Sequence, residues 1–124
     1  MEYTHNMWDV EYTDEFNEWW ENLSEKEQDA VAFSVGLLEN RGPFLKFPYS
    51  SDVRQSKYGV MRELRSQCEG YAIRTFYAFD PKRTAILLIG GIKTEDDRFY
   101  DVMVPKADKI FTDYLIELKE KNDD

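Results

Sequence analysis

Arg74 is the residue of this sequence whose surroundings demand an explanation in chemistry. Residues two apart in a β-strand share a face, which puts Arg74 in a row with Ala72, Phe76 and Ala78. A guanidinium in such a row needs a carboxylate partner or an anionic ligand. Lys93 follows an apolar run that ends in Gly90-Gly91, where it would project from the end of a sheet, and Arg98 and Tyr100 come next. By the same alternation Arg65 shares a face with Met61 and Glu63, while Arg62 shares the other with Val60 and Leu64. Cations placed in this way can converge on a phosphate. They can equally leave Arg74 paired with Glu63 across the sheet as a structural ion pair, and both readings stand at this level.

The charge pattern singles out the same region. The 124 residues carry 16 Lys and Arg against 25 Asp and Glu, a net charge of −9. Overall charge therefore does not draw this chain to nucleic acid. Residues 1–51 hold 3 basic and 11 acidic side chains, and residues 94–124 hold 5 and 10. Between them, residues 52–93 hold 8 basic and 4 acidic side chains, a net +4 in an otherwise acidic chain.

Other chemistries find little support. Glu95-Asp96-Asp97 with Asp101 is the densest acidic group, yet it lacks the alternating ligands and glycine of an EF-hand loop, so no metal site is expected. Gly90-Gly91 alone makes neither a Walker nor a dinucleotide motif and is read as a bend at a strand end. The one histidine, His5, lies near the terminus, and the one cysteine, Cys68, has no histidine near it in sequence, so neither is a persuasive nucleophile or base. A single cysteine also excludes an internal disulfide. No segment approaches the roughly 18 consecutive apolar residues of a membrane helix, and the acidic start does not resemble a secretory signal, so a cytoplasmic protein is expected.

The elements that must position these groups follow from periodicity. Trp8, Val10 and Tyr12 alternate with polar residues as a short strand. Thr13 can cap a helix whose Phe16, Trp19, Trp20 and Leu23 share one face, and Ser24 with Glu27 has the form of a capping box opening a second helix that ends at Gly42-Pro43. Residues 42–58 read as an ordered loop. Residues 60–66, 71–79 and 84–89 read as three strands of an antiparallel meander, with Asp80-Pro81-Lys82-Arg83 as a turn. Pro105 is read as opening a last helix in which Ala107, Ile110, Phe111, Tyr114 and Leu118 share a face. The predicted order is βααβββα in a single α+β domain, residues 1–124, with Phe16, Trp19, Leu37, Leu87 and Phe111 in its core.

Several of these segments together resemble a known family. Met61-Arg62-Glu63-Leu64-Arg65, the run Tyr71-Ala72-Ile73-Arg74-Thr75-Phe76-Tyr77-Ala78-Phe79-Asp80, and Ala85-Ile86-Leu87-Leu88-Ile89-Gly90-Gly91-Ile92-Lys93-Thr94 carry the resemblance. With the closing helix, the Trp19-Trp20 helix and Leu38-Glu39-Asn40-Arg41-Gly42-Pro43, they are similar to the RelE/HigB-type toxins of bacterial type II toxin-antitoxin systems over residues 8–118. The resemblance implies a RelE-like fold, a helical hairpin and a C-terminal helix packed on a small antiparallel sheet. It implies a ribosome-dependent, metal-independent messenger-RNA endoribonuclease that inhibits translation without a cofactor. The implied partners are the ribosome, messenger RNA and a cognate antitoxin of helix-turn-helix type, through which alone it would meet DNA. Arg65 and Arg74 match positions that contact the scissile phosphate, and Lys93 and Tyr100 fall where members carry the rest of the catalytic set. Lys57, Arg62 and Arg98 are the expected RNA-binding residues. At Met61 and Glu63 the chain departs from close RelE-like members, which carry lysines there. The alternatives on the same fold are a ParE-like toxin that inhibits gyrase and a non-catalytic antitoxin-binding module.

Overall fold

The computed structural model describes residues 7–122. Strand β1 (Val10–Tyr12) leads into helices α1 (Asp14–Glu21) and α2 (Glu25–Arg41), and a 3₁₀ turn at Gly42–Phe44 opens the loop that follows. Strands β2 (Ser50–Asp52), β3 (Arg62–Cys68), β4 (Tyr71–Phe79) and β5 (Ala85–Lys93) precede helix α3 (Phe99–Asn122). The five strands form one sheet in the order β1-β5-β4-β3-β2. The meander β3-β4-β5 is antiparallel, as the turns require, and β2 pairs antiparallel with β3. β1 runs parallel to β5, so the sheet is mixed. Three polar residues, Ser50-Ser51-Asp52, make β2, too short and too polar for alternation to reveal.

Both helix caps read from the sequence are formed. Ser24 and Glu27 exchange the two bonds of a capping box at the start of α2. The Thr13 hydroxyl accepts from Phe16 N–H at the start of α1 and donates 2.8 Å to the Leu88 carbonyl of β5. That second bond has a reason. Tyr77 pairs with Leu87 and Phe76 with Ile89, so Leu88 is an extra residue in β5, a bulge whose carbonyl falls out of the ladder and is satisfied by Thr13.

The sheet is covered on both faces. The α1-α2 hairpin closes one face over Phe16, Val31, Leu38, Leu64, Ile73, Tyr77 and Leu87. Helix α3 closes the other over Met61, Phe76, Ile86, Leu88, Val104 and Phe111. Of the expected core residues, Phe16, Leu87 and Phe111 are buried, whereas Trp19 and Leu37 are half-buried and pack on the hairpin-side cluster.

Two expectations are corrected here. Gly90-Gly91 does not end a strand, because β5 continues through both to Lys93. Helix α3 begins at Phe99, and Pro105 lies inside it. An internal proline removes the bond to the carbonyl four residues back, which here belongs to Asp101. Asp101 and Pro105 are both exposed. The added first turn is held by Phe99 and Tyr100, whose rings pack on Phe76 at centroid distances of 6.2 and 6.3 Å.

Candidate functional site

Arg65 and Arg74 are register partners across β3 and β4, and Arg74 is opposite Gly91 of β5. Directly opposed residues of an antiparallel pair share a face, so both arginines stand on the α3 face of the sheet. Lys93, paired with Ala72, joins them there only because of the bulge at Leu88. One inserted residue reverses the face of everything beyond it.

Glu63 lies between the arginines, on the same face. Its Oε1 accepts from the Tyr100 hydroxyl at 2.8 Å and lies 3.7 Å from Arg74 Nε. Its Oε2 accepts from Ser51 Oγ at 2.9 Å and lies 3.5 Å from an Arg65 guanidinium nitrogen. The Glu63 and Arg74 side chains are 5% and 8% exposed, and that of Arg65 is 27% exposed. One carboxylate thus draws together groups from β2, β3, β4 and α3. The contacts to the arginines are longer than good hydrogen bonds. Arg74 donates from its terminal nitrogen to the Ile73 carbonyl at 3.2 Å, while its Nε is buried with no hydrogen-bond partner among the described residues. A buried donor left unmade costs about 1–3 kcal/mol. The Lys93 ammonium stands 5.6 Å above the Tyr100 ring, and the Arg65 guanidinium stands 5.0 Å above that of Phe47. Three cations face one carboxylate, so the cluster keeps a positive surplus in an acidic chain.

Comparison with known proteins gives this cluster its setting. Residues 18–112 match the family described as phage derived protein Gp49-like. The chain belongs to the Gp49-like family. Two relatives from Mycobacterium tuberculosis (strain ATCC 25618 / H37Rv) are named as candidate toxins. HigB3 is 39% identical over 98 residues, covering 78% of this chain and 84% of its own. HigB2 is 33% identical over 104 residues, 82% of this chain, which spans only about half (52%) of HigB2. Among solved structures, the archaeal RelE-RelB complex from Pyrococcus horikoshii OT3 contains a chain that superposes with a TM-score of 0.52. That match covers 71% of this chain and 97% of the other, and at 13% identity it speaks to the fold alone. The Gp49-like chain is thus of RelE/HigB type in sequence and fold.

Arg65, Arg74, Lys93 and Tyr100 of this Gp49-like chain are therefore neighbours. The other expected residues lie elsewhere. Arg62 faces the hairpin side, bonded to Asp52, to Ser50 Oγ at 3.0 Å and to the Leu45 carbonyl at 3.3 Å. Lys57 sits on the loop that docks on α3, its backbone N–H donating to Asp108 and its ammonium 5.4 Å above the Tyr58 ring. Arg98 is exposed in the β5-α3 loop, 3.6 Å from Asp96. Cys68 is buried in the hairpin-side core, and His5 lies outside the described residues. Among the described residues no three His, Cys, Asp or Glu side chains are grouped to hold a metal. No helix among them is long and apolar enough to cross a membrane. Ser51 and Phe47 carried no sequence signal, whereas Glu63 did, through its shared face with Arg65.

The environment of Tyr100 fixes its protonation. Burial, then the hydrogen bond to Glu63 and that group's negative charge, raise its pKa above the ordinary value of about 10, against the opposing pull of Arg74. Tyr100 is therefore a hydrogen-bond and proton donor at neutral pH, not a base. Because the neutral form is favoured in the folded state, its stabilising contribution is complete below pH of about 10 and is lost as the pH rises through the raised folded value. In Glu63→Gln, Tyr100 is expected to ionise at lower pH. Tyrosinate absorbance, taken as a difference against Tyr100→Phe, measures this, and an unchanged titration would show that Glu63 does not act on Tyr100.

Proposed function

We propose that this chain is the toxin of a type II toxin-antitoxin pair and stops translation in the cytoplasm by cutting messenger RNA on the ribosome. The relatives named as candidate toxins and the RelE-like fold support the first part. The second rests on the opposed pair Arg65 and Arg74 with Lys93 on one face, a cationic cluster whose buried Arg74 Nε lacks a partner.

In this reading the substrate supplies its own nucleophile. The 2′-oxygen bonds to the adjacent phosphorus and loses its proton to solvent water, the bond from phosphorus to the 5′-oxygen breaks, and that oxygen gains a proton. The phosphate is left as a 2′,3′-cyclic ester. Arg65, Arg74 and Lys93 stabilise the charge that gathers on the phosphoryl oxygens, which is the largest service a preorganised cluster renders. Tyr100, protonated and beside them, is suited to donate to the leaving oxygen. All the cations are side chains, so the step needs no metal. The expected partner is an antitoxin of helix-turn-helix type encoded with the toxin, and DNA is reached through it.

Glu63 favours a second reading. A carboxylate between Arg65 and Arg74 is what a structural ion cluster requires, and the chain would then inhibit by protein contact, as a ParE-like gyrase toxin or an antitoxin-binding module. Inducing the wild type, Arg65→Ala and Lys93→Ala in cells without antitoxin separates the two. The expected result is growth arrest with new messenger-RNA ends for the wild type, and loss of both in the variants. Arrest with intact messenger RNA and failing supercoiling would select the gyrase reading. No arrest at all would select the binding module.

A further inference from the structure

Strand β3 outruns the strand beside it. β2 pairs only with Arg62 to Leu64, Arg65 N–H reaches back to the Tyr49 carbonyl at 2.9 Å, and beyond that the outer edge of β3 has no strand beside it among the described residues. The missing strand leaves a groove between the sheet edge and α2, with a volume of about 450 Å³, lined by Phe33, Pro48, Tyr49, Arg65, Ser66 and Gln67 among others. That volume is in the range of small-ligand sites, roughly 300–1,000 Å³.

Three features of the groove point the same way. Its walls are aromatic and exposed: Phe33 is 67% and Tyr49 41% exposed, and Phe47, 71% exposed, stands just outside under the Arg65 guanidinium. Solvent-facing rings grouped at one place mark a contact surface rather than a packing need. No carboxylate lines it, in a chain with 25 of them. By contrast the groove between α1 and α2 carries Glu39, and that between α1 and α3 carries Asp14, Glu15, Asp113 and Glu117; the groove lined by Pro43, Val60, Arg62, Phe79 and Arg83 also lacks a carboxylate, but Arg65 is not among its residues. Finally, Arg65 belongs both to this groove and to the cluster around Glu63, so a ligand in one is within one side chain of the other.

We propose that this groove is a nucleobase pocket, taking one base of a single-stranded RNA whose phosphate lies against Arg65 and Arg74. The proposal rests on the RNA-cleaving reading above and adds to it where a base goes. Single-stranded RNA is held by stacking bases on aromatic rings beside a cationic track for the backbone, and the groove offers both within reach of Arg65. Gln67 also lines the groove and is exposed on the unpaired edge. The absence of carboxylates removes the repulsion a polyanion would meet elsewhere on this surface.

The test uses the purified chain and a short single-stranded RNA at low salt, with binding followed by fluorescence anisotropy. Phe33→Ala and Tyr49→Ala alter exposed or half-exposed rings, and thermal melts confirm that they fold. Each is expected to weaken binding about 5- to 150-fold, the effect of losing one stacked base at about 1–3 kcal/mol. An RNA of the same length without bases is expected to bind the wild type no better than it binds either variant. If both variants bind like the wild type while Arg65→Ala binds weakly, the pocket is refuted and the phosphate cluster stands. If the wild type fails to bind RNA, or Arg65→Ala changes nothing, the pocket is refuted, while the RNA-cleaving reading is decided separately by the messenger-RNA ends mapped above. Aromatic variants that keep RNA binding but lose the co-expressed antitoxin would assign the groove to a protein partner and overturn the proposal.

Discussion

Arg74→Ala is expected to lower stability by about 1–3 kcal/mol as well as to abolish toxicity, because one buried side chain serves both the Glu63 cluster and the phosphate. The variant leaves the Glu63 carboxylate, 5% exposed, without the cation that lies 3.7 Å from its Oε1. The loss is partial, since Arg65 at 3.5 Å and the Tyr100 and Ser51 hydroxyls still hold the carboxylate. A growth assay on Arg74→Ala alone would therefore confuse an unfolded toxin with an inactive one. The double variant Arg74→Met/Glu63→Met, compared with Glu63→Met alone, resolves this: both lose the Glu63 bonds to Tyr100 and Ser51, the two differ only at Arg74, and the double variant carries no buried unpaired guanidinium. If Arg74 meets the reacting phosphate, the double variant is folded and its messenger-RNA cleavage falls about 10²- to 10³-fold below that of Glu63→Met, the usual effect of losing one preorganised donor. Thermal melting, urea titration and mapping of messenger-RNA ends read the three quantities. A folded double variant that still cuts messenger RNA would return Arg74 and Glu63 to a purely structural role.

That pair also shows how much of the site the sequence carries. Strand alternation is a property of adjacent residues, so Arg74 among Ala72, Phe76 and Ala78, and Glu63 on the face of Arg65, can be read from spacing. What spacing leaves open is which of two partners Arg74 takes, and the fold brings it to Glu63 while leaving its Nε unsatisfied. Lys93 and Tyr100 reach the cluster through features of longer range. Lys93 faces it because of a single extra residue at Leu88, whose freed carbonyl is taken by Thr13, 75 positions away in sequence. Nothing local to β5 announces the bulge. Tyr100 reaches Glu63 because α3 starts six residues before Pro105, where contact with Phe76 outweighs the usual preference of proline for a first turn. The caps at Thr13 and Ser24 were legible because capping chemistry is confined to four consecutive residues. The parallel pairing of β1 with β5 was not, since it is decided by where the hairpin returns the chain.

Gly90 and Gly91 look alike in the sequence but differ in what surrounds them, and the difference predicts a large effect at one and a small effect at the other. A Cβ at Gly90 would lie 2.2 to 2.5 Å from three ring atoms of Trp19. Neither side can yield cheaply: Gly90 is held in the ladder opposite Thr75, and Trp19 is fixed by α1, where its ring packs on Phe16 at 5.6 Å. Gly90→Ala must therefore lift Trp19, and with it α1, off the sheet, removing the half of the hairpin that closes this face. Overpacking a rigid contact costs about 1–3 kcal/mol and occasionally more; with an indole ring to displace, the upper end is expected here. At Gly91 the added carbon would meet Phe99 Cε1 at 3.1 Å and the end of the flexible Met103 side chain at 3.4 Å. Gly91→Ala should accordingly lose less than about 1 kcal/mol, since methionine adapts to small volume changes. Thermal melts of the two variants, with Trp fluorescence to follow Trp19, measure the contrast. Equal stability of both would mean that Trp19 does not rest on the sheet at Gly90. A severe loss at Gly91 alone would instead make the start of α3, and so the placement of Tyr100, the more fragile of the two contacts.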